Sequence, residues 1–315
     1  MSHRQIFHRS WLSLDAKLFH VEQKELTVLT SCPICGDTER KHVLTCRDHL
    51  VSDHDFDIQE CASCGFWFTD PRPKDENLGE YYKSDEYVSH SESSKGLINW
   101  LYLRARSIAI KRKYRLVKNL TKGSRLLDYG CGAGYFAGYC GSKEMDVTGV
   151  EPDKDARAIA RSKYDVETID PAERDQLAES SFDAITLWHV LEHLPGLKEQ
   201  MEWLKSRLSA NGVLFIAVPN RSSFDARKYD KEWAAYDVPR HIYHFTPKDI
   251  ETLGKSVGLK LAGMKPMKLD AYYVSMLSEK NKGGSTLLGF WNGFRSNLKA
   301  KNGTYSSQIY ILTHA

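Results

Sequence analysis

The sequence predicts an α/β fold built on a parallel sheet, with a small cysteine-bearing module at its N-terminal end. Three observations carry this. Residues 121 to 220 alternate short apolar runs with helical patterns, as strands joined by helical crossovers do. The first of those runs leads into a glycine-rich turn, Asp128-Tyr129-Gly130-Cys131-Gly132-Ala133-Gly134. Two tight cysteine pairs, Cys32 with Cys35 and Cys61 with Cys64, precede the whole. A chain of 315 residues accommodates one large domain plus a small one, and 41% hydrophobic residues supply a sizeable core.

Composition narrows the class. With 44 basic and 41 acidic residues the formal charge is +3, too balanced to imply nucleic acid by itself. Mean hydropathy is negative, and no run approaches the ~20 apolar residues of a membrane span. Met1 to His20 is broken by Arg4, Arg9, Asp15 and Lys17 and lacks the apolar stretch of a secretory signal. The expectation is a soluble, cytoplasmic protein. In that compartment seven cysteines, four of them in two pairs, favour metal ligation over disulfides.

The first stretch, residues 1 to 75, ends at Asp70-Pro71-Arg72-Pro73, a natural boundary. Each knuckle, Cys32-Pro33-Ile34-Cys35-Gly36 and Cys61-Ala62-Ser63-Cys64-Gly65, places two thiolates three residues apart, with a glycine that lets the backbone turn back. Four such sulfurs complete a tetrahedral zinc site. Strand-like runs, Lys41 to Thr45 and Phe56 to Glu60, lie between the pairs, and the whole looks like a zinc ribbon. A closed four-cysteine site leaves no position for water, so the Zn(2+) would be structural. Cys46, His49 and His54 lie nearby and read as surface or core residues, and Cys131 and Cys140 as packing residues.

Residues 76 to 120 read as a helical connector or lid. Its basic helix, Lys95 to Lys118, carries Trp100, Leu101, Ile108 and Ile110 among the cations, so it packs on the core and shows a solvated basic face. A membrane surface or an anionic substrate is the other reading. Residues 121 to 315 form the main domain. After the glycine turn a helix starts at Tyr135, and a second strand, Asp146 to Val150, ends at Glu151. A third strand, Val166 to Ile169, precedes Asp170; a fourth spans Phe182 to Trp188 and a fifth Gly212 to Asn220. A polar-aromatic insertion follows, about 221 to 246, then a helix opened by Thr246-Pro247 with Asp249, and two further strands.

The spacing D-x-G-x-G-x-G is not the dinucleotide fingerprint, whose glycines run G-x-G-x-x-G. It resembles motif I of class I S-adenosylmethionine-dependent methyltransferases, of the domain 23 and domain 11 kinds. Val190-Leu191-Glu192-His193-Leu194 also resembles the segment after the fourth strand in many small-molecule members. The resemblance covers roughly residues 121 to 260 and implies a Rossmann-like, seven-stranded sheet. It also implies roles: Gly130, Gly132 and Gly134 face the methionine part of the cofactor, S-adenosyl-L-methionine; Asp128 helps hold its amino group; Glu151 binds the ribose; Asp170 reaches the adenine amino group.

Methyl transfer needs alignment and, for a hydroxyl or acidic carbon, a base. Four histidines are candidates. On a helix, His189, Glu192 and His193 would share a face and could bind a divalent metal, as similar segments do in some quinone-pathway O-methyltransferases; the preferred reading is that Glu192 and His193 orient the loop. His241 and His244 lie in the insertion with Trp233 and Tyr236, expected to wall the acceptor pocket. His241 ranks first as base because it follows Arg240, a cation suited to steering a phosphate or carboxylate. His189 ranks second and His244 third.

The resemblance thus implies a methyltransferase acting on a small-molecule biosynthetic intermediate. A sugar nucleotide is one such acceptor, since sugar C-methyltransferases also carry N-terminal zinc modules. An RNA methyltransferase with a zinc module is the alternative. Low net charge and the Arg-His-aromatic insertion argue against it, as does Trp188-His189-Val190-Leu191 where base-amino methyltransferases carry D/N-P-P-aromatic. A non-enzymatic scaffold conflicts with the intact glycine turn.

Overall fold

The computed structural model describes residues 25–82, 97–301 and 303–315, with only the backbone of 97–102. The readings made on Met1 to His20, on Lys95 and on the side chains of Trp100 and Leu101 lie outside the described residues.

In chain order the N-terminal part holds β1 (Leu26–Thr27), β2 (Arg40–Arg47), β3 (Asp55–Cys61), β4 (Trp67–Thr69), β5 (Arg72–Pro73) and a one-turn α1 (Asp75–Leu78). The helix α2 (Leu97–Leu120) leads into β6 (Arg125–Tyr129), α3 (Tyr135–Gly141), β7 (Asp146–Val150), α4 (Lys154–Tyr164), β8 (Glu167–Ile169) and β9 (Phe182–Trp188). Then come α5 (Leu197–Arg207), β10 (Leu208–Pro219), α6 (Phe224–Tyr229), β11 (Tyr243–His244), α7 (Pro247–Ser256), β12 (Leu259–Pro266), α8 (Asp270–Asn281), α9 (Thr286–Lys299) and β13 (Ser307–His314).

Seven strands form one sheet in the order β12-β13-β10-β9-β6-β7-β8. The five strands from β10 to the edge strand β8 run parallel, and β13 is antiparallel to both neighbours. This is the Rossmann-like sheet the resemblance implies. Its strands read as continuous apolar runs because both faces are covered. Leu127, Ile185, Leu187, Leu214 and Ile216 enter one core cluster. Leu126, Ala184, Val213, Phe215 and Ala217 enter the other. The alternation is the two-residue period of a strand, and each fully buried Leu, Ile or Phe contributes about 1.5–3 kcal/mol. Thr246 caps α7 reciprocally with Asp249, behind Pro247 at the first helical position, as its sequence predicts. On α2, Val117 is buried and Ile110, Tyr114 and Leu116 pack beside it, while Ile108 faces solvent.

The N-terminal module is a four-stranded antiparallel sheet, β11-β4-β3-β2, and its edge strand comes from the insertion after β10. Tyr243 pairs with Phe68 and His244 with Trp67. Phe66 lies 5.8 Å from the Tyr243 ring and 5.5 Å from that of Phe245. Phe66 and Phe68 belong to the same apolar cluster as Leu127 and Leu187 of the large sheet. Patterning announces β12 and β13 but not the helical hairpin α8–α9 between them. The buried face of α9 is Gly289, Asn292, Gly293 and Ser296, so its apolar residues do not mark its inner side.

Candidate active site and metal centre

Cys32, Cys35, Cys61 and Cys64 converge, with all four sulfurs within 4.8 Å of one another. Cys32 Sγ lies 3.5 Å from Cys64 Sγ, and Cys35 Sγ 3.5 Å from Cys61 Sγ. Four sulfurs around a zinc ion at its usual bond length stand about 3.8 Å apart, so this cluster needs little adjustment to hold one. The two knuckles repeat one geometry: Gly36 N donates to Cys32 O and Gly65 N to Cys61 O, each at 3.0 Å. Gly36 and Gly65 have φ of 79° and 78°, the left-handed region that spares glycine strain. Burial pushes the Cys32 thiol up to about 11, so thiolates here need a cation to compensate them. Cys46 sits in a separate apolar cluster and His49 meets Glu232 at 3.1 Å.

The glycine turn has three different surroundings. Gly130 N and Cys131 N donate to Val150 O at 2.7 and 3.1 Å, bending the chain from β6 over β7. A Cβ on Gly130 would stand 2.4 Å from Val190 Cγ2, and one on Gly134 2.8 Å from Ala160 Cβ. A Cβ on Gly132 would meet nothing within 4 Å. Gly130 and Gly134 are therefore packing glycines, whereas Gly132 borders open space, as a ligand cradle does. Gly132 N donates to Glu151 Oε2 at 2.8 Å and Asp153 N to Glu151 Oε1 at 3.0 Å, which holds that carboxylate beside the turn. Asp128 is buried, accepts from Thr186 Oγ1 at 2.7 Å, and burial pushes it up to about 6. Asp170 accepts from Ala172 N at 3.0 Å and pairs with Arg157 at 3.0 Å. These residues fit S-adenosylmethionine: open backbone at Gly132, with one carboxylate on each side of it in sequence.

A cavity of about 420 Å³ opens at the carboxyl ends of the sheet strands, where open α/β sheets bind ligands. His189 just beyond β9, Pro219 at the end of β10 and Ser307 at the start of β13 line its floor. Trp233, Tyr236 and His241 of the insertion form one wall. Val274 and Leu277 of α8 form a second, and Arg47 and His49 of the N-terminal module a third.

His189 has φ of 59°, and its ring lies between two carboxylates, Nδ1 at 3.3 Å from Glu192 Oε1 and Nε2 at 3.0 Å from Asp270 Oδ2. Desolvation alone would lower its pKa, but the bonds to Asp270 and Glu192 hold it up at about 9. At neutral pH both nitrogens therefore donate, which removes His189 as the free base expected from sequence. His241 is better disposed. Its Nδ1 lies 2.8 Å from Ala235 O, which anchors the ring, and its Nε2 stands 3.8 Å from Asp237 Oδ2 beside the cavity.

His244 is corrected outright. It lies in β11, away from the cavity lining, with Nε2 3.0 Å from Thr69 Oγ1, and burial pushes its pKa well below the ordinary histidine value. Arg240 borders the cavity but is not the free cation its sequence setting suggests. Only 1% exposed, it is matched by Asp48 at 2.8 Å, Asp237 at 2.7 Å and Tyr81 O at 3.1 Å. The His189-Glu192-His193 face does not form, because Leu191–His193 is a single 3-10 turn. Ligand-capable atoms of Glu192, His193 and His241 instead come within 4.8 Å of one another. His193 Nδ1 meets Arg240 O at 2.9 Å, so this pair ties the turn to the insertion.

Sequence reading missed Asp270, whose carboxylate reaches His189 from α8, and Lys113 of α2, whose Nζ stands 4.4 Å from the Trp188 ring. Neither carries a local motif.

The family model described as "Methyltransferase domain" matches residues 101–262, which takes in β6 to β11 but not the cysteine module. A ubiquinone biosynthesis O-methyltransferase of Xanthomonas axonopodis pv. citri is 26% identical over 160 residues, covering 46% of this chain and 66% of the relative. One of Actinobacillus pleuropneumoniae is 25% identical over 171 residues, covering 50% and 73%. The chain thus spans just under two thirds of the length of the Xanthomonas relative. Among solved structures, a SAM-dependent methyltransferase from Archaeoglobus fulgidus is 16% identical, with a TM-score of 0.46 over 69% of this chain and 99% of the other.

Proposed function

The chain belongs to the methyltransferase-domain family, and from that premise we propose that it transfers the methyl group of S-adenosylmethionine to a small molecule held in the cavity at the strand ends. One observation carries the reading: the cofactor turn and the cavity adjoin through consecutive residues. Val190 packs on Gly130, while His189 lines the cavity. The cofactor, when bound, supplies a methyl group on an electrophilic sulfonium, so alignment of the acceptor is the main task of the protein. Asp128 and Glu151 would hold it on either side of Gly132, with Asp170 as the candidate at the adenine. His241, which lines the cavity, is the candidate base for an acceptor hydroxyl, which the names of the relatives favour. His189 is the cationic link between Glu192 and Asp270. The four cysteines would hold a structural zinc.

The walls suit an acceptor with a flat or apolar body against Trp233, Tyr236 and Leu277, and with negative charge near Lys231 and Lys280. Phenolic quinone precursors and sugar nucleotides both meet that description. The test is a screen of purified protein with labelled cofactor against phenolic precursors, sugar nucleotides and RNA. Label in a small molecule and not in RNA is expected. Transfer to RNA alone, or tight cofactor binding with no transfer to any small acceptor, would count against the proposal.

A further inference from the structure

The helix α9 is turned inside out. Gly289, Asn292, Gly293 and Ser296 face the protein body, and Leu287, Leu288, Phe290, Trp291, Phe294 and Leu298 face solvent. Leu287 is 84% exposed, Leu298 69% and Trp291 55%. This orientation is fixed by the buried side. A Cβ on Gly289 would stand 2.5 Å from Met276 Cα, and one on Gly293 2.6 Å from Tyr272 Cα, so only glycine lets α9 lie this close to α8. Asn292 donates to Tyr229 and Glu279 at 3.0 Å each, and Ser296 to Asp225 at 2.6 Å. Rolling the helix to hide its apolar side would break those bonds and drive side chains into the α8 backbone. Contiguous exposed apolar surface of this kind marks a docking face.

Charge decides the occupant. Between Lys280 and Ala315 the chain has no aspartate or glutamate, while Lys280, Lys282, Arg295, Lys299 and Lys301 are all cationic. Lys282, Arg295, Lys299 and Lys301 are exposed around the apolar face. A second copy docking on the same face would set those cations against themselves. Residues 1–24 offer no complement either, with Arg4, Arg9, Lys17 and Lys24 against Asp15 and Glu22. No described helix is long and apolar enough to cross a membrane. We propose that α9 seats this protein on the surface of an anionic lipid bilayer, its Leu, Phe and Trp side chains at the headgroup–acyl boundary and its cations on the lipid phosphates. The other helix of the hairpin gives Tyr273, Val274 and Leu277 to the cavity, and Tyr273 is itself 43% exposed. The docked helix is therefore packed directly on the helix that forms one cavity wall.

The test is vesicle flotation of the full chain, without cofactor or acceptor, so its outcome is independent of the methyl-transfer reading. Binding is expected to phosphatidylglycerol-containing vesicles, weakened by salt, and not to pure phosphatidylcholine. Trp291→Ser with Leu287→Ser should reduce partition by about tenfold or more, with unchanged thermal unfolding. Arg295→Glu with Lys299→Glu, both on exposed positions, is the second variant should the first unfold. Failure of the wild-type chain to float with anionic vesicles would overturn the proposal, as would binding that neither variant reduces. So would a dimer in light scattering that Trp291→Ser dissociates, which would make the face a subunit contact.

Discussion

Replacing Gly132 by alanine separates the cofactor cradle from the fold more cleanly than any other change in the glycine turn. The backbone there has φ of 54°, so alanine is held in the left-handed region at about 1–2 kcal/mol. No steric cost adds to this, because the new Cβ meets nothing within 4 Å. For a domain of about 150–250 residues each kcal/mol lowers Tm by about 2–4 °C, so the variant should stay folded. The methyl group nevertheless fills the open space in which the proposed site would seat the cofactor. Affinity for S-adenosylmethionine should fall by about tenfold or more, equivalent to about 1.4 kcal/mol. Calorimetric titration reads the affinity and thermal unfolding reads the fold. Gly130→Ala is the contrast: its Cβ would stand 2.4 Å from Val190 Cγ2, so it should lose stability and binding together. Wild-type affinity in Gly132→Ala, alongside the expected small drop in Tm, would refute the cradle.

Elemental analysis should find about one zinc per chain, and Cys61→Ser should release it and destabilise the N-terminal module; metal-free protein purified without chelators would rule the centre out. His241→Ala should lower kcat by about 100-fold or more with cofactor affinity intact, while His244→Ala should cost stability through the lost Thr69 contact and leave turnover near normal. Equal kcat losses in the two variants would remove His241 as the base. The His189 pKa is raised on folding to about 9, so its stabilisation is complete below about 6.5 and is lost as pH rises through 9. Thermal unfolding should show that loss between those values, and His189→Asn, which tolerates positive φ, should abolish it; an unchanged pH profile in the variant would show that His189 does not carry the charge that stabilises the array.

The large sheet was legible because each strand is a local apolar run closed by its own turn or acidic residue. The closeness of Gly132 and Glu151 was legible because each lies directly after one of two adjacent parallel strands, β6 and β7. The four cysteines needed only their spacing. What sequence reading could not supply is the set of partners brought from afar. Arg240 looks like a free cation beside His241 until Asp48 arrives from the N-terminal module to neutralise it. His189 looks like a base until Asp270 arrives from α8. His244 looks like its neighbour His241, but His244 lies in β11 and turns to Thr69, whereas His241 lies before the strand and is held by Ala235 O. The inner face of α9 was invisible to hydrophobic periodicity because small and polar residues make it.

The strand β11 has a consequence for how this chain can be cut or recombined. The unit that carries the four-cysteine cluster is not a contiguous segment: it is residues 25–82 together with the stretch that supplies Tyr243, His244 and Arg240. An exchange with a relative that moved only the N-terminal piece would leave a strand edge without its neighbour. It would also take Asp48 and the Tyr81 carbonyl from the buried Arg240 guanidinium and leave it Asp237 as its one carboxylate partner. The same exchange would remove Arg47 and His49 from the cavity wall. Inheritance of the cysteine cluster and inheritance of the cavity wall are therefore physically coupled, and a change in the shape of the cavity has to be accommodated in both segments at once.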